Sequence, residues 1–503
     1  MYSPQKLHPI SYITGIIEAI KQNIILIIIF LVFNLRNFDF TDYKSYIYPG
    51  IVTIIFLISF VLQILKVYNT RYWIENDHFI LATGIFSKEK KELNIRRIQT
   101  LDTSQGIINQ IVGGVILQIK TPSDGIELDT VSKKQSDFIQ QTLKEKQQSL
   151  TQNSEISDTD SSFAEQDTEK EQNMQSPAIN IYKLNFKELL FMALTSGVIG
   201  VAFATLSPIM FALNDIIPWD KITDTFSEIF QATFMIILMI VVLVIVASYI
   251  FGTVIEIIRN FNYTVTQQGT QLNIQYGLFN VKSITVPTDR VQAIVERQSF
   301  LRKLFGYTSI HFVITSDMDS LDKDDVTLGG NVMILPFIKR KKAFELIKQL
   351  IPGMKFTKPK LGMPWRGFHR YFWRESLVLL IGAAIATYYW SVWSFVIAGC
   401  LILLMILHSF IVIKYSGLNL NRDELVVRNV TMFGFKSTYF KHNKLLGMQM
   451  SENPFLIRSS LSNFKFIIAK AAGSAEIGLK YSEVTNVERL KSWYLRGDFD
   501  ERI

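Results

Sequence analysis

The sequence carries a single cysteine among 503 residues, so a disulfide framework is excluded by count. That residue, Cys400, falls inside a long apolar run, where a thiol is read as a small packing group rather than a nucleophile. Its six histidines are scattered, and none has a second ligand at metal-binding spacing. There is no Gly-x-Ser-x-Gly, no His-Glu-x-x-His and no phosphate loop ending in Gly-Lys-Ser/Thr. Serine hydrolase, zinc protease and nucleotide triphosphatase chemistry therefore have no motif to rest on, and neither cofactor nor metal is expected. Charge is scarce as well: 19% of residues are Asp, Glu, Lys or Arg, below the ~25% usual in soluble domains, against 49% apolar. The net charge of +8 is spread along the chain and gathers at the ends of apolar segments, which makes nucleic acid a poor partner.

What the chain has instead is long apolar runs. Ile13–Ile20 with Ile24–Phe33 makes a first, interrupted by Glu18 and Lys21, and Ile47–Leu65 is a cleaner second. Leu189–Leu213 and Ile229–Ile255 form a second pair, and Leu377–Val392 with Trp393–Ile413 a third. Each is about the ~20 residues that cross a ~30 Å hydrocarbon core. The expected architecture is six transmembrane helices in three pairs. The hairpin loop Asn214–Glu228 carries Asp215, Asp220, Asp224 and Glu228 against one Lys221, whereas Arg71, Arg259, Arg366, Arg370, Arg374 and Lys414 lie near span ends on the other side. The positive-inside rule then places both termini and everything between the pairs in the cytoplasm. No cleavable signal peptide is expected, because the first apolar segment lacks a small-x-small exit. His408 is the one ionisable group deep in a span, and a neutral imidazole bonded to a neighbouring helix is its plainest role.

The chain also repeats itself. Sliding Tyr72–Ile119 forward by 193 positions lands Gly84 on Gly277, Arg97 on Arg290, Gln99 on Gln292, Gln105 on Gln298 and Gly113 on Gly306, without a gap. A weaker third copy starts at Tyr415, with Lys444 in the place of Arg290 and Asn453-Pro454-Phe455 in the place of Ser299-Phe300-Leu301. Each copy opens with a hairpin, because Glu75-Asn76-Asp77-His78, Thr266–Thr270 and Asn421–Glu424 are polar clusters between apolar runs. Glu92–Ile95 and Ser283–Val286 alternate as half-buried strands do. Each copy closes with helical spacing, at Lys133–Lys146, Phe337–Leu350 and Glu483–Leu495. Between Gln140 and Ser176 the composition turns to Thr, Ser, Gln, Glu and Asp, which reads as a disordered acidic linker.

Two basic runs are the candidate binding residues: Lys88, Lys90 and Lys91 with Arg96 in the first copy, and Lys339, Arg340, Lys341 and Lys342 in the second. Such clusters attract anionic headgroups at ~1 kcal/mol per residue near a membrane surface. A solvated face is the competing account. Aromatic and basic residues also interleave before each pair of spans, at Lys6–Ile10, Tyr182–Lys187 and Trp365–Arg374, as span anchors or headgroup contacts do. Arg97, Arg290 and Lys444 are expected to be structural first, since they repeat with the fold and not with local charge.

Two spans followed by a small β domain, with Gly-Ile/Leu-Phe and then Arg-x-Gln, resembles the bacterial PH-like domain of YdbT-type membrane proteins. Leu7-His8-Pro9 ahead of the first span is similar too. In the third copy Lys444-Leu445-Leu446 stands where Arg-x-Gln is expected, and Gly434-Phe435 is shifted. The resemblance implies three PH-like split β-barrels, each with a C-terminal helix and each following one helix pair. It implies an integral plasma-membrane protein of Gram-positive-type bacteria, with no established catalysis. The expected layout is a first helix pair at 1–68, PH-like domain 1 at 69–140, the linker at 141–178, and a second pair at 179–258. PH-like domain 2 at 259–352, an interfacial segment with the third pair at 353–414, and PH-like domain 3 at 415–503 complete it. Expected partners are membrane lipids and a homo- or hetero-oligomer with a smaller two-span PH-like-domain protein. The expected function is non-enzymatic assembly or anionic lipid binding, in envelope integrity or antimicrobial-peptide tolerance. The alternative is a transporter or lipid-handling protein whose spans enclose a path.

Overall fold

A computed structural model describes residues 3–23, 47–85, 87–121, 125–157, 178–196, 230–315, 331–389, 393–470 and 473–496. The fold divides into two compact units. One comprises Met1–Asn180, Tyr263–Pro287 and Ser316–Lys323, the other Ile181–Asn262, Thr288–Thr315 and Asp324–Ile503. The division cuts the second copy after its third strand.

The first unit opens with α1 (Ile10–Gln22) and α2 (Ile47–Asn69), which pack side by side. Three antiparallel strands follow, β1 (Arg71–Glu75), β2 (His78–Thr83) and β3 (Glu89–Asn94). Asn76 and Asp77 make the two-residue turn between β1 and β2 at φ 45° and 60°, the positive values such a tight hairpin requires. A 3-10 turn, Ile95–Arg97, leads into β4 (Thr100–Gly106), the short helix α3 (Ile107–Val112), β5 (Gly114–Lys120), β6 (Gly125–Ser132) and the closing helix α4 (Lys133–Ser157). Tyr72, Ile74, Phe79 and Leu93 from the first strands meet Leu117, Ile119, Ile126 and Leu128 from the later ones, and Ile139, Leu143 and Leu150 of α4 cover the same core. This is the split barrel and C-terminal helix expected for a PH-like domain. The unit is completed by β7 (Thr264–Gln268), β8 (Gln271–Tyr276) and β9 (Asn280–Pro287).

The second unit holds α5 (Phe186–Thr195) against α6 (Phe230–Arg259), then β10 (Val291–Ser299), α7 (Phe300–Leu304), β11 (Tyr307–Ile314), β12 (Asn331–Lys339) and α8 (Arg340–Leu350). After a 3-10 segment, Trp365–Tyr371, come the paired helices α9 (Trp373–Tyr389) and α10 (Trp393–Tyr415). The third copy is β13 (Gly417–Asn421), β14 (Glu424–Thr431), β15 (Gly434–Lys441), β16 (Leu445–Ser451), α11 (Pro454–Ile457), β17 (Leu461–Lys470), β18 (Gly473–Glu483) and α12 (Val484–Arg496). Phe440, Phe464, Phe466 and Trp493 fill its core. The Trp493 indole donates to the Arg422 carbonyl at 2.7 Å, so the closing helix is tied to the first hairpin.

Among the described residues two helices are long and apolar enough to cross a membrane, over Gly50–Asn69 and Ser394–Tyr415. Most of their apolar side chains are exposed, Ile54 at 57% and Leu404 at 61%, as the lipid-facing surface of a span would be. α1, α5, α6 and α9 occupy the described parts of the other four expected spans. The rest of those spans, in 24–46, 197–229 and 390–392, and the loop Asn214–Glu228 lie outside the described residues.

Several boundaries differ from expectation. The closing helix of the first copy runs on to Ser157, so the domain does not end at 140 and the linker does not begin at 141. Leu143 and Leu150 are two helical turns apart, and both are buried in the core, so one apolar edge suffices to carry a helix through a polar stretch. The remainder of the expected linker, 158–177, lies outside the described residues. Phe337 belongs to β12 and not to the closing helix, which starts at Arg340. Most consequentially, the sheets are not confined to single copies.

Candidate functional site: the sheet junctions

In the first unit the sheet runs β6-β5-β4-β9-β8-β7, so the first copy's last three strands and the second copy's first three form one surface. β4 joins β9 antiparallel, from Gly106 opposite Asn280 to Thr103 opposite Ser283. In the second unit the order is β12-β11-β10-β15-β14-β13, with the short strand Lys360–Leu361 paired on the outer side of β13, and β10 joins β15 from Ser299 opposite Gly434 to Ala293 opposite Phe440. The same join is made twice. Each time a strand ends at the cap of a short helix, and that strand meets the first strand beyond a hairpin tip.

Buried ion pairs sit at both joins. Asp102 on β4 pairs with Lys120 on β5 at 3.1 Å with both side chains 4% exposed, and it accepts the Thr285 backbone N–H of β9 at 2.9 Å. Glu296 on β10 accepts from Arg340 at both oxygens, Nε at 2.5 Å and Nη2 at 3.1 Å, and lies 3.4 Å from the Tyr439 hydroxyl of β15. A carboxylate placed inside a sheet is tolerated only when its lone pairs are taken, and here the partners come from both sides of the seam. Burial first, and then Glu296, pushes the Tyr439 phenol above its ordinary range. Burial, with Arg297, Arg302 and Lys436 nearby, holds the His311 imidazole on β11 well below its usual value.

Some of the repeated residues, the glycines and Gln105 with Gln298, shape the turns and helix caps beside the seam. Gly84 and Gly277 have φ of 119° and 109°, and a Cβ at either would stand 1.9 or 2.0 Å from the carbonyl oxygen of Ser87 or Asn280. Gly113 and Gly306 end the short helices at φ 72°, and in the third copy Ser460 holds this position at φ 52°. Their carbonyls accept the first N–H of each closing helix, Lys133, Arg340 and Val484. Gln105 and Gln298 reach across the short helix to the carbonyls of Gly114 and Tyr307, at 2.9 and 3.0 Å. Arg97, Arg290 and Lys444 each end the 3-10 turn between the two halves of a copy. Arg97 is exposed, and no hydrogen bond of its side chain or that of Arg290 is found among the described residues. Gln292 donates to the Arg290 carbonyl at 3.1 Å, whereas the buried Gln99 amide finds no such partner among the described residues. In the third copy the glycine has moved to the strand itself. A Cβ on Gly434 would stand 2.1 Å from the Gln298 carbonyl oxygen, so it is the close approach of β10 that requires glycine there.

The hairpin tips and short helices expose apolar side chains together. Gln110 of α3 donates to the carbonyls of Leu278 and Phe279, 49% exposed at Phe279, and Ile111 beside it is 79% exposed. In the second unit Phe300 N–H donates to the Phe433 carbonyl, beside exposed Met432, Leu301, Leu304 and Phe305. Arg302 of α7 donates to the Met192 carbonyl at 3.2 Å and the Thr195 hydroxyl at 3.3 Å, and Phe191 packs on Phe305. The apolar tip therefore stands at the end of α5, the start of an expected span. Lys303 lies 3.9 Å from the Tyr415 ring centre and 4.1 Å from that of Phe435.

Of the two basic runs, Lys88 and Lys90 on or next to β3, and Arg96 on the following turn, are exposed, and Lys91 is half-buried. Lys90 is paired with Glu92 at 2.8 Å and lies over the Trp73 ring. Lys339, Lys341 and Lys342 are exposed at the start of α8, but Arg340 turns inward to Glu296. Sequence reasoning missed Asp102, Lys120, Glu296 and Tyr439. The available signal was a lone acid in an otherwise apolar strand, as in Ile294-Val295-Glu296.

The chain is 26% identical over 437 residues to the transmembrane protein YdbT of Bacillus subtilis (strain 168), covering 84% of this chain and 85% of that protein. No solved structure matches. A family profile described as the bacterial PH domain matches residues 23–147 and 208–354, more than half of the chain, and together with the repeated split-barrel strands and closing helices this shows that the chain belongs to the bacterial PH domain family.

Proposed function

We propose that the chain is a multi-pass plasma-membrane assembly protein, non-enzymatic, whose PH-like domains lie on the cytoplasmic side and join sheet edge to sheet edge. The observation that carries this reading is the join itself: β4 to β9 and β10 to β15 use the same strands of successive copies, in the same register. An open sheet edge is a liability unless covered, and here the cover is a neighbouring copy of the domain. The three helix pairs, read as six spans, hold the domains at one membrane face. The exposed tips add contact with lipid, and Lys88, Lys90, Lys91 and Arg96, with Lys339, Lys341 and Lys342, supply attraction for anionic headgroups. A smaller two-span PH-like-domain protein, or a second copy, fits such a surface as partner. A role in envelope integrity is the process in which a membrane-bound scaffold of this kind would serve. Cysteine labelling of intact cells tests the orientation. A cysteine at Asp220 labels from outside and one at Ser154 does not. The reverse pattern overturns the reading.

A further inference from the structure

Three copies make two joins and leave two half-joins. Among the described residues β3 pairs with β2 alone, and β16 pairs with β17 alone. β3 and the tip before it stand where β9 and β15 stand in the completed joins. β16, with Asn453 capping α11, stands where β4 with Gly106 and β10 with Ser299 stand. One end of the chain therefore offers the tip-and-strand half, and the other offers the strand-and-helix half.

The two halves also differ from the completed joins in a matched way. One step in from the helix cap, Gln105 faces Val281 and Gln298 faces Phe435. At the same positions in the unused halves stand Glu452 and Lys88, both exposed. A neutral pair has become an opposite-charge pair, with one charge at each end of the chain. Exposed Phe455 and Ile457, on the short helix just beyond Glu452, present apolar surface as Ile107 and Ile111, or Leu301 and Leu304, do beside the completed joins. A lysine on the tip-side strand is no obstacle, since Lys282 is buried within the first join.

We infer that β16 of one chain pairs with β3 of a second copy of the same chain, head to tail, with Asn453 opposite Ser87 and Glu452 opposite Lys88. The inference rests on the reading of the joins as assembly devices. Such a contact is heterologous, so it either closes into a ring or extends along the membrane.

The test is disulfide crosslinking of the full chain in native membranes, in a Cys400→Ser background with copper–phenanthroline as oxidant. Two differently tagged forms are co-expressed, one carrying Glu89→Cys and the other Ser451→Cys, the next pair in the register. The expected result is a dimer-sized product bearing both tags. Lys88→Glu or Glu452→Lys alone lowers its yield several-fold, and the two reversals together restore it. The pair Arg297→Cys with Lys436→Cys, opposite each other in the completed second join, serves as internal reference. If that reference forms and the mixed-tag product does not, the head-to-tail inference is overturned and the assembly reading survives. If the reference fails too, both fall. A chain carrying both outer cysteines that links only to itself, or a Ser451→Cys chain that links only to a smaller protein, also overturns the inference. Equal yields in the single and double charge reversals overturn the assigned register.

Discussion

Glu296 and Arg340 lie 44 positions apart and meet as a two-point pair across the start of a helix, with the Glu296 side chain 2% exposed and that of Arg340 32%. The pair fixes the closing helix of the second copy to the strand that carries the seam to the third. Removing one member leaves a buried charge without its counterion, a loss of about 3–5 kcal/mol for a well-buried pair, reduced here because Arg340 is partly solvated. We expect Arg340→Ala to destabilise by about 3 kcal/mol. Glu296→Gln with Arg340→Gln should cost less than the sum of the two single changes. Denaturant unfolding of the detergent-solubilised chain measures both, and additive losses would show that the two side chains do not act as a pair.

The glycines make a sharper contrast. Gly277→Ala must place a methyl group 2.0 Å from a backbone carbonyl oxygen that belongs to the seam strand. Gly306→Ala meets open space and carries only the left-handed backbone cost, about 1–2 kcal/mol. The first should therefore lose roughly 3 kcal/mol or more and broaden the unfolding transition. Equal losses at the two sites would mean that the tip can shift without disturbing the join.

His311 gives the second unit a pH dependence of known sign. Its folded-state value is depressed, so between that value and the ~6.5 of an unfolded histidine the unfolded chain binds the extra proton. Stability is fully present above about pH 6.5 and falls as the pH drops below it. The groups that disfavour the cation are its own burial, then Arg297, Arg302 and Lys436, and Ser309 lies 3.3 Å from Nε2. Unfolding of the wild type and His311→Gln between pH 5 and 7.5 checks this. The variant should lose most of the slope, and an unchanged slope would place the titrating group elsewhere.

The repeat, the turn clusters and the closing helices were legible because each depends on local pattern: paired glycines, polar turns between apolar runs, apolar spacing of three and four. Gly84 and Gly113 could be matched to Gly277 and Gly306 without coordinates, since their backbone conformations demand them. The seams were not legible. Strand pairing between β4 and β9 spans about 180 residues, and nothing in Thr103–Gly106 distinguishes an edge that is covered by its own domain from one covered by the next. The ion pairs were hidden for a related reason. Arg340 sits in a run of four basic residues, and only the fold shows that one of the four points inward. The extension of α4 to Ser157 was missed because Leu143 and Leu150 are two apolar residues in a long polar stretch, too few to see against its composition.

The apolar tips are expected to touch lipid. Met432 and Phe433 are 73% and 64% exposed at one end of β14, and Leu304 at 78% lies in the short helix that the same tip contacts. Leaving such side chains in water forfeits about 1.5–3 kcal/mol each relative to an apolar setting, so a cluster of them at a span entrance calls for lipid. Asp423 marks the opposite end of the same strand, nine residues from Met432 and about 30 Å away at the rise of an extended chain. Nitroxide labels on cysteines placed at Met432, Leu304 and Asp423, with Cys400 replaced by Ser, distinguish the two ends in reconstituted vesicles. Labels at Met432 and Leu304 should collide with dissolved oxygen and be shielded from a water-soluble nickel chelate, and the label at Asp423 should do the opposite. Replacing Met432 and Phe433 by Ser should leave the fold intact, because neither is buried, while releasing the Leu304 label into water. Nickel access at all three positions in the unaltered chain would remove lipid contact from the account of the tips and leave them as protein-binding surfaces alone.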